Sequence, residues 1–562
     1  MANITEASTA AYGDAEAFAT DADISHLKID NGRLTYRQVH EIVARLAHLL
    51  KQAGLNRFAR VAIYKHNSVD YFLMALAVMR AGGIAVPVHG RMKPADFTHY
   101  ANYCGCEMVF TDAPNLSQLN PEDFPKVKQW IIPTAQNHAV ETQLGESLMV
   151  LAQTYNNDLP LADAIEMNAH DDALIVHTSG TTGFPKGVLH SSYSLIRACR
   201  AQLILNPFPR GERVLAAAHQ NHHISFTGLQ LGIMAGIWNY VATDHTPKHL
   251  LEVMQEQQAS VFFAFPDIYQ ALYREGMHNY DLSAMQAWFS GGDAMHEVHI
   301  RACVSQGHFS LLGIQRKGSL FFELLGTSEV GSAALTKIST RNTEIYSRCV
   351  GKPTFVGPKV KVADAQGNPL PKGEVGRLMV KGPTVFKGYW NLHEKLHGVV
   401  VDGWWWTGDM ARQDAKGRYY QIDREVDVVQ SRQGPVYGLP LEEELLKCND
   451  VAEATIIGIE HPAMGLVPVA IAHSLTGQAL DTEQIKTQVN ALFPNPQHIF
   501  EVIDVGSAAA IPRGLTGKIL KRRLRDELAS YYQEHKADDT TPTALDNSAA
   551  SKTVELAAAL NT

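Results

Sequence analysis

Three stretches of this sequence have the residue types and spacing to handle a charged substrate. The first is VHTSGTTGFPKGVL, Val176 to Leu189. Thr178, Ser179, Thr181 and Thr182 supply hydroxyls beside Gly180 and Gly183, and Lys186 stands between Pro185 and Gly187. Glycines let backbone N–H groups close on an anion, and a concave N–H array with a mobile cation beside it binds phosphate. The spacing is not G-x-x-x-x-G-K-[ST], which excludes a Walker A loop. The second stretch, FFELLGTSEVGS, places Glu329 just after a glycine turn. A carboxylate is a hard oxygen donor, and Mg²⁺ on a nucleotide takes one or two of them from protein. The third, IPRGLTGKILKRRLRDEL, sets Gly517-Lys518 on a loop before a basic helix. Read alone, that run is a solvated basic face. His219, His222 and His223 lack a cysteine or acidic partner at ligand spacing, so they read as satisfied polar groups rather than metal ligands.

Alternating strands and helices must hold these residues. Ala173 to Val176 is an apolar run that reads as a buried strand feeding the hydroxyl-rich loop, and Ser191 to Leu205 as the next helix. Upstream, Val39, Ile42, Val43, Leu46, Leu49 and Leu50 recur at helical spacing and stop at Gly54. RVAIYK, Val69 to Arg80 and GGIAVPV then read as strand, helix and strand. Such alternation predicts a doubly wound α/β sheet. Residues 115–170 carry weak periodicity and read as connecting structure. Ser260 to Phe265 and Ala287 to Ser290 read as buried strands; the second runs into Gly291-Gly292-Asp293, where a flat ligand could lie on bare backbone or the chain could simply turn. Residues 351–423 are rich in turns and short strands. Residues from about 430 to 530 read as a small α/β unit, and 533–562 as a polar, mobile tail.

Composition sets outer limits. The chain has 562 residues with 45% hydrophobic and 19% charged side chains, as expected for large soluble cores. A formal net charge of −9 argues against nucleic-acid binding. Six cysteines are too few for a disulfide scaffold, and Cys104-Gly-Cys106 has no second pair for zinc. No signal peptide or membrane span is visible, so a cytoplasmic protein is expected.

TSGTTGFPKG resembles the phosphate-loop signature of the adenylate-forming enzymes, the superfamily of acyl-CoA synthetases, aryl-CoA ligases and adenylation domains. Further matches follow in family order over roughly residues 30–530. Leu325-Gly326-Thr327-Ser328-Glu329 stands where the family has Tyr-Gly-x-Thr-Glu, with Leu325 in place of the aromatic that stacks on adenine. Thr407-Gly408-Asp409, Arg424 and the Gly-Lys518-Ile ending complete the set. The resemblance implies a large N-terminal domain, 1–423, of doubly wound α/β subdomains plus a small β-barrel-like subdomain. A small mobile α/β lid, 424–532, follows it. It implies that residues 178–183 and Lys186 hold the ATP phosphates, that Glu329 with Thr178 binds Mg²⁺, and that Asp409 and Arg424 hold the ribose. Gly291, Gly292, Asp293 and Leu325 to Ser328 would contact adenine or the acyl group, and Lys518 would be the catalytic lysine. His222, His223, Phe265, Gly291 and Gly292 would line the acid pocket.

The activity implied is ATP-dependent activation of a carboxylic acid to an acyl-adenylate with pyrophosphate release, then transfer to a thiol. CoA is the expected acceptor. The loop Ser431-Arg432-Gln433-Gly434-Pro435 departs from the family's glycine-rich acceptor loop, which leaves a carrier-protein pantetheine or an amine as the alternative. A third reading is an inactive nucleotide-binding interaction protein; a lysine needed only in the transition state has no use there. No insertion marks a very-long-chain acid, so a small or medium acid is expected.

Overall fold

The computed structural model describes residues 1–135, 144–178, 184–204, 212–292, 295–311, 313–344, 348–392, 394, 398–514 and 518–535. Thr35 starts the first long helix, Tyr36–Gln52, with a capping box: its hydroxyl accepts from Gln38 N, and the Gln38 side chain accepts from Thr35 N. The apolar stripe Val39, Ile42, Val43, Leu46, Leu49 and Leu50 is buried, as its spacing requires. The helix Val69–Arg80 is buried at every position. Its sequence is apolar all round because it lies between two sheets. It joins two strands of one sheet, and Phe72 meets Phe18 of the other at 6.1 Å.

The first sheet has eight strands, with Arg60–Lys65 and Ile84–His89 parallel at its centre. Asp172–His177 pairs with Ile84–His89 and then antiparallel with Gly187–Ser191. The phosphate-loop candidate is therefore the loop of a hairpin. Gln129–Ile132 and Leu148–Val150 extend the far edge of this sheet, so residues 115–170 contribute strands as well as connections. These strands are three or four residues long and too short to show a period.

The second sheet has fourteen strands. Its parallel centre runs through Trp238–Val241, Arg213–Ala217, Val261–Ala264, Ala287–Gly291 and Leu320–Leu325. Beyond Leu320–Leu325 it continues antiparallel through Leu335–Ser339, Cys349–Pro353, Tyr419–Arg424 and Trp404–Gln413. The turn-rich segment after 351 thus grows out of the large sheet. The Asp364–Asn368 turn closes as its sequence suggests, with Asp364 N donating to Asn368 O.

A separate three-stranded sheet, Val451–His461, Gly465–Ser474 and Glu501–Asp504, has a core on each face. Ile456 and Ala470 face Leu441 and Leu445; Ile457 and Ile471 face Leu524 and Tyr532. Period-two alternation divides these neighbours between the two cores. Among the described residues no helix is long and apolar enough to cross a membrane.

Candidate active site

The parallel strands of the large sheet end together at Gly292, Gly326 and Phe265, and a cavity of about 1070 Å³ opens there. Strand ends of an open α/β sheet are where ligands bind, because the connecting loops splay apart. The loop after Asp172–His177 comes to the same cavity from the eight-stranded sheet. Thr178 N donates to Lys186 O at 3.1 Å, closing the hairpin and bringing both residues to the cavity wall. Gly187 must be glycine: a Cβ there would meet Ile175 Cγ2 at 2.9 Å and Trp390 Cβ at 3.2 Å. Ser179, Gly180, Thr181, Thr182, Gly183 and Asp293 lie outside the described residues.

Glu329 faces this cavity from the loop after Leu320–Leu325. Tyr389 Oη donates to Glu329 Oε1 at 2.9 Å, and Glu329 O accepts from Phe386 N. The Lys186 ammonium stands 5.1 Å from the centre of the same Tyr389 ring. One tyrosine therefore links the phosphate-loop lysine to the carboxylate. Burial, and then the Glu329 charge, raise the Tyr389 phenol far above its ordinary range, so it remains a donor. Ser328 is fixed from behind by His190, whose Nε2 contacts Ser328 O at 2.7 Å. Gly326 approaches Ser332 too closely for a side chain, with a Cβ falling 2.4 Å from Ser332 O. Glu329 and Thr178 offer oxygen donors on one cavity, and among the described residues no three His, Cys, Asp or Glu side chains gather into a metal set. Those oxygens fit Mg²⁺ carried in on a nucleotide.

Asp409 and Arg424 are cross-strand partners in the register of Trp404–Gln413 with Tyr419–Arg424. Arg424 Nε lies 3.4 Å from Asp409 Oδ1. Arg424, Thr407 and Gly408 line the cavity, whereas Asp409 is buried beneath them. Gly326, Thr327, Ser328 and Gly292 also line it. Leu325 instead faces a second cavity of about 40 Å³, which shares Gly292, Leu324 and Gly326 with the first. Gly291 lines neither; Ile224 stands against it, 3.0 Å from where its Cβ would lie.

Lys518 lines the cavity from the far end of the chain. It sits on a loop closed by Gly514 N donating to Lys518 O and Leu520 N donating to Pro512 O. Lys521 anchors this loop three residues on. Its ammonium is buried and donates to Glu442 Oε1 at 2.7 Å, where Ile456 N also donates at 2.8 Å. Arg348, on the large sheet's side, reaches Glu442 at 3.8 Å and Glu443 at 3.6 Å. Asp423 belongs to the same network, and burial pushes its carboxyl up to about 6. The basic run is thus divided: Lys521 is a buried anchor, while Arg522 and Arg523 stay on the surface.

The histidines form the remaining wall. His222 and His223 line the cavity with Phe265. The His222 ring meets Phe265 edge-on at 5.0 Å, and His223 packs on His190 at 4.3 Å. His89 stacks on His219 at 4.1 Å, and His177 Nε2 contacts the Asn221 side-chain amide at 2.9 Å. Burial lowers all of these imidazoles, His177 and His190 to about 4 and His89 to about 3. His222 is lowered by burial, then by the neighbouring His177, His89 and Lys518 charges. They are neutral at physiological pH, and, against the expectation of satisfied groups, His177 Nδ1, His219 Nε2 and His223 Nε2 are buried with no hydrogen-bond partner among the described residues. Tyr389 and His190 were not singled out by sequence; the aromatic pair in FKGYWN was the one trace of the former.

A model of the AMP-binding enzyme family matches residues 5–390. The chain is 28% identical over 529 residues to 3-aminoavenalumate diazotase from Streptomyces sp, covering 89% of this chain and 90% of that one. It is 26% identical over 497 residues to a feruloyl-CoA synthase from Amycolatopsis sp, covering 88% and 93%. ATP-bound MatB from Rhodopseudomonas palustris shares the fold, with a TM-score of 0.79 at 22% identity over 94% of this chain and 99% of that one.

Proposed function

The chain belongs to the AMP-binding enzyme family, and from that premise we propose that it joins a carboxylic acid to a thiol, CoA foremost, through an acyl-adenylate. The observation that carries this reading is the convergence of Lys186, Glu329, Arg424 and Lys518, from four distant stretches of chain, on one cavity.

A carboxylate is a poor electrophile because oxide is a poor leaving group. Attack of its oxygen on the α-phosphorus of ATP, in line with departing pyrophosphate, turns it into a mixed anhydride. Both partners are anionic, so catalysis rests on positioning and charge neutralisation. Lys186 and the hairpin loop hold the departing phosphates. Arg424, backed by Asp409, holds the ribose side. Lys518 bridges the incoming carboxylate and the α-phosphate oxygens where negative charge concentrates. Glu329, oriented by Tyr389, and Thr178 would hold Mg²⁺, which when bound neutralises phosphate charge. In the second step a thiolate attacks the acyl carbon, AMP leaves, and a thioester remains.

Lys518 must withdraw to admit the thiol, and we read Arg424 to Asp427, which includes the turn Glu425–Asp427, as the hinge between 1–423 and 424–532. Arg377 holds Glu425 at 3.0 Å from one side, and Arg525 holds Asp427 at 2.9 Å from the other. Six free, buried thiols support a reducing, cytoplasmic setting.

Acid-dependent ATP–pyrophosphate exchange over a carboxylate panel, with Lys518→Ala as control, tests the first step. Absence of exchange with every acid would sink it. AMP release stimulated by CoA, rather than by a carrier protein or an amine, tests the acceptor.

A further inference from the structure

The cavity, about 1070 Å³, is lined beyond the residues assigned to the nucleotide by a second, apolar set. From the nucleotide end it runs back along the strands of the large sheet. Leu320, Phe322 and Leu324 line it from one strand, and Val261 and Phe263 from another. Alternate residues share a face, so these side chains make a continuous floor. Phe322 and Phe289, on adjacent strands, have rings parallel within 5° at 4.5 Å, which flattens it. The helix His223–Ala235 is the roof. Ile224, Gly228, Leu231 and Gly232 face the cavity from it at helical spacing. The roof begins at the active site, where Ile224 stands against Gly291. It ends where Gly232 packs on Asn239, which is paired with Val214 at the opposite end of the sheet.

Both measures of length agree. Leu320 to Leu324 spans about 13 Å of strand, and Ile224 to Gly232 about 12 Å of helix. Among the described residues, the charged ones lining the cavity are Lys186, Glu329, Lys352, Arg424 and Lys518. All belong to the nucleotide end; Lys352 pairs with Thr336, which lies opposite Leu324. A second charge on the substrate would find no partner among the described residues of the channel and would lose its hydration. A hydrocarbon chain advances about 1.25 Å per carbon, given its 1.5 Å bonds.

We propose that the acid is an extended monocarboxylic acid whose apolar tail, about ten carbons long or the same length of linear conjugation, lies between this floor and roof. This narrows the sequence-based expectation of a small or medium acid to its upper part, and it rests on the adenylation reading above. Gly228 is the specificity-determining position. A Cβ there would touch nothing within 4 Å, so its missing side chain leaves the channel open one helical turn beyond Ile224.

The test is ATP–pyrophosphate exchange by the full chain with straight-chain acids from acetate to hexadecanoate, and with dicarboxylates of matched length. Each buried methylene is worth about a fourfold gain in kcat/KM. The expected profile climbs more than ~100-fold from butanoate to decanoate before levelling, with dicarboxylates excluded. Gly228→Phe should move the optimum to shorter acids, and the short-acid exchange it keeps reports that it has folded. A flat profile, a preference for two- to four-carbon acids, or a Gly228→Phe variant with the wild-type profile overturns the proposal. Exchange with no acid at all overturns the adenylation reading instead.

Discussion

Replacing Lys521 by methionine isolates the anchor of the catalytic loop. Its ammonium is largely buried and makes a 2.7 Å hydrogen bond to Glu442, itself buried. Methionine keeps most of the volume and removes the charge. Glu442 then retains its bonds from Thr455 and Ile456 but loses its nearest cation, since Arg348 stands 3.8 Å away. Breaking a buried pair by removing one partner costs about 3–5 kcal/mol, because the other charge is left uncompensated. Converted at 1.4 kcal/mol per tenfold, that is roughly a 100- to 4,000-fold rise in local opening. Amide hydrogen exchange followed by mass spectrometry should show a rise of this size in peptides covering 438–474 and 519–528, with the strands at 60–89 unchanged. ATP–pyrophosphate exchange should fall with it, since Lys518 loses its support. Lys521→Met with Glu442→Gln should recover much of the protection by removing the orphaned charge. Protection within threefold of wild type in the single variant would refute the claim that this pair holds the loop.

Lys518→Ala should reduce exchange by about a thousandfold, the scale of losing one transition-state charge stabiliser, while thioester formation from a supplied acyl-adenylate persists; equal loss of both would show a role beyond adenylation. Tyr389→Phe should lower exchange about 10- to 100-fold at limiting Mg²⁺ and recover at high Mg²⁺, as expected for a residue that orients a metal ligand; a Mg²⁺ titration decides. Stability should fall as the pH drops from 6.5 towards 4. His177 and His190 sit at about 4 and His89 at about 3 because of burial, against 6.5 in the unfolded chain. Their contribution, ~3 kcal/mol each for His177 and His190 and ~5 kcal/mol for His89, is whole above pH 6.5 and is lost as the pH falls through the folded values. Asp423 runs the other way. Raised by burial from 3.8 to about 6, it contributes ~3 kcal/mol below pH 4 that is lost as the pH rises through 6. Three rings outweigh one carboxyl, so thermal midpoints should decline on acidification, and more steeply in Asp423→Asn.

Lys186 and Glu329, which the structure brings to one cavity, stood out in the sequence because their residue types are uncommon in their settings, whereas Arg424 and Lys518 were singled out only through the family resemblance. A lysine between proline and glycine after a run of hydroxyls, and a carboxylate after a glycine turn, have few structural reasons to exist. The apolar length of the acid channel was not legible, although His222, His223, Phe265 and Gly292, expected at its mouth, do line the cavity. Phe321 and Phe322 are neighbours of the same type; one is fully buried in the core and the other faces the cavity, and no sequence pattern distinguishes a filled face from an empty one. Tyr389 was missed for a related reason, since its role is set by a side chain 60 positions away. Lys521 was hidden inside a basic run in which Arg522 and Arg523 are surface residues. The strands after 115 escaped because three or four residues carry at most two periods of signal.

The division of the acid channel between a strand floor and a helical roof constrains how its selectivity can drift. Leu320–Leu325 runs directly into Gly326 and Glu329, so inserting or deleting one residue there would turn Phe322 and Leu324 to the opposite face and displace Glu329 with them. The floor cannot change register without disabling the chemistry. The roof carries no such linkage: Gly228, Leu231 and Gly232 face the tail from a helix whose nucleotide-side neighbours are histidines. Single substitutions on that helix can lengthen, shorten or bend the space for the acid while the nucleotide groups stay in place, so new substrates are open to lineages of this protein through the roof alone.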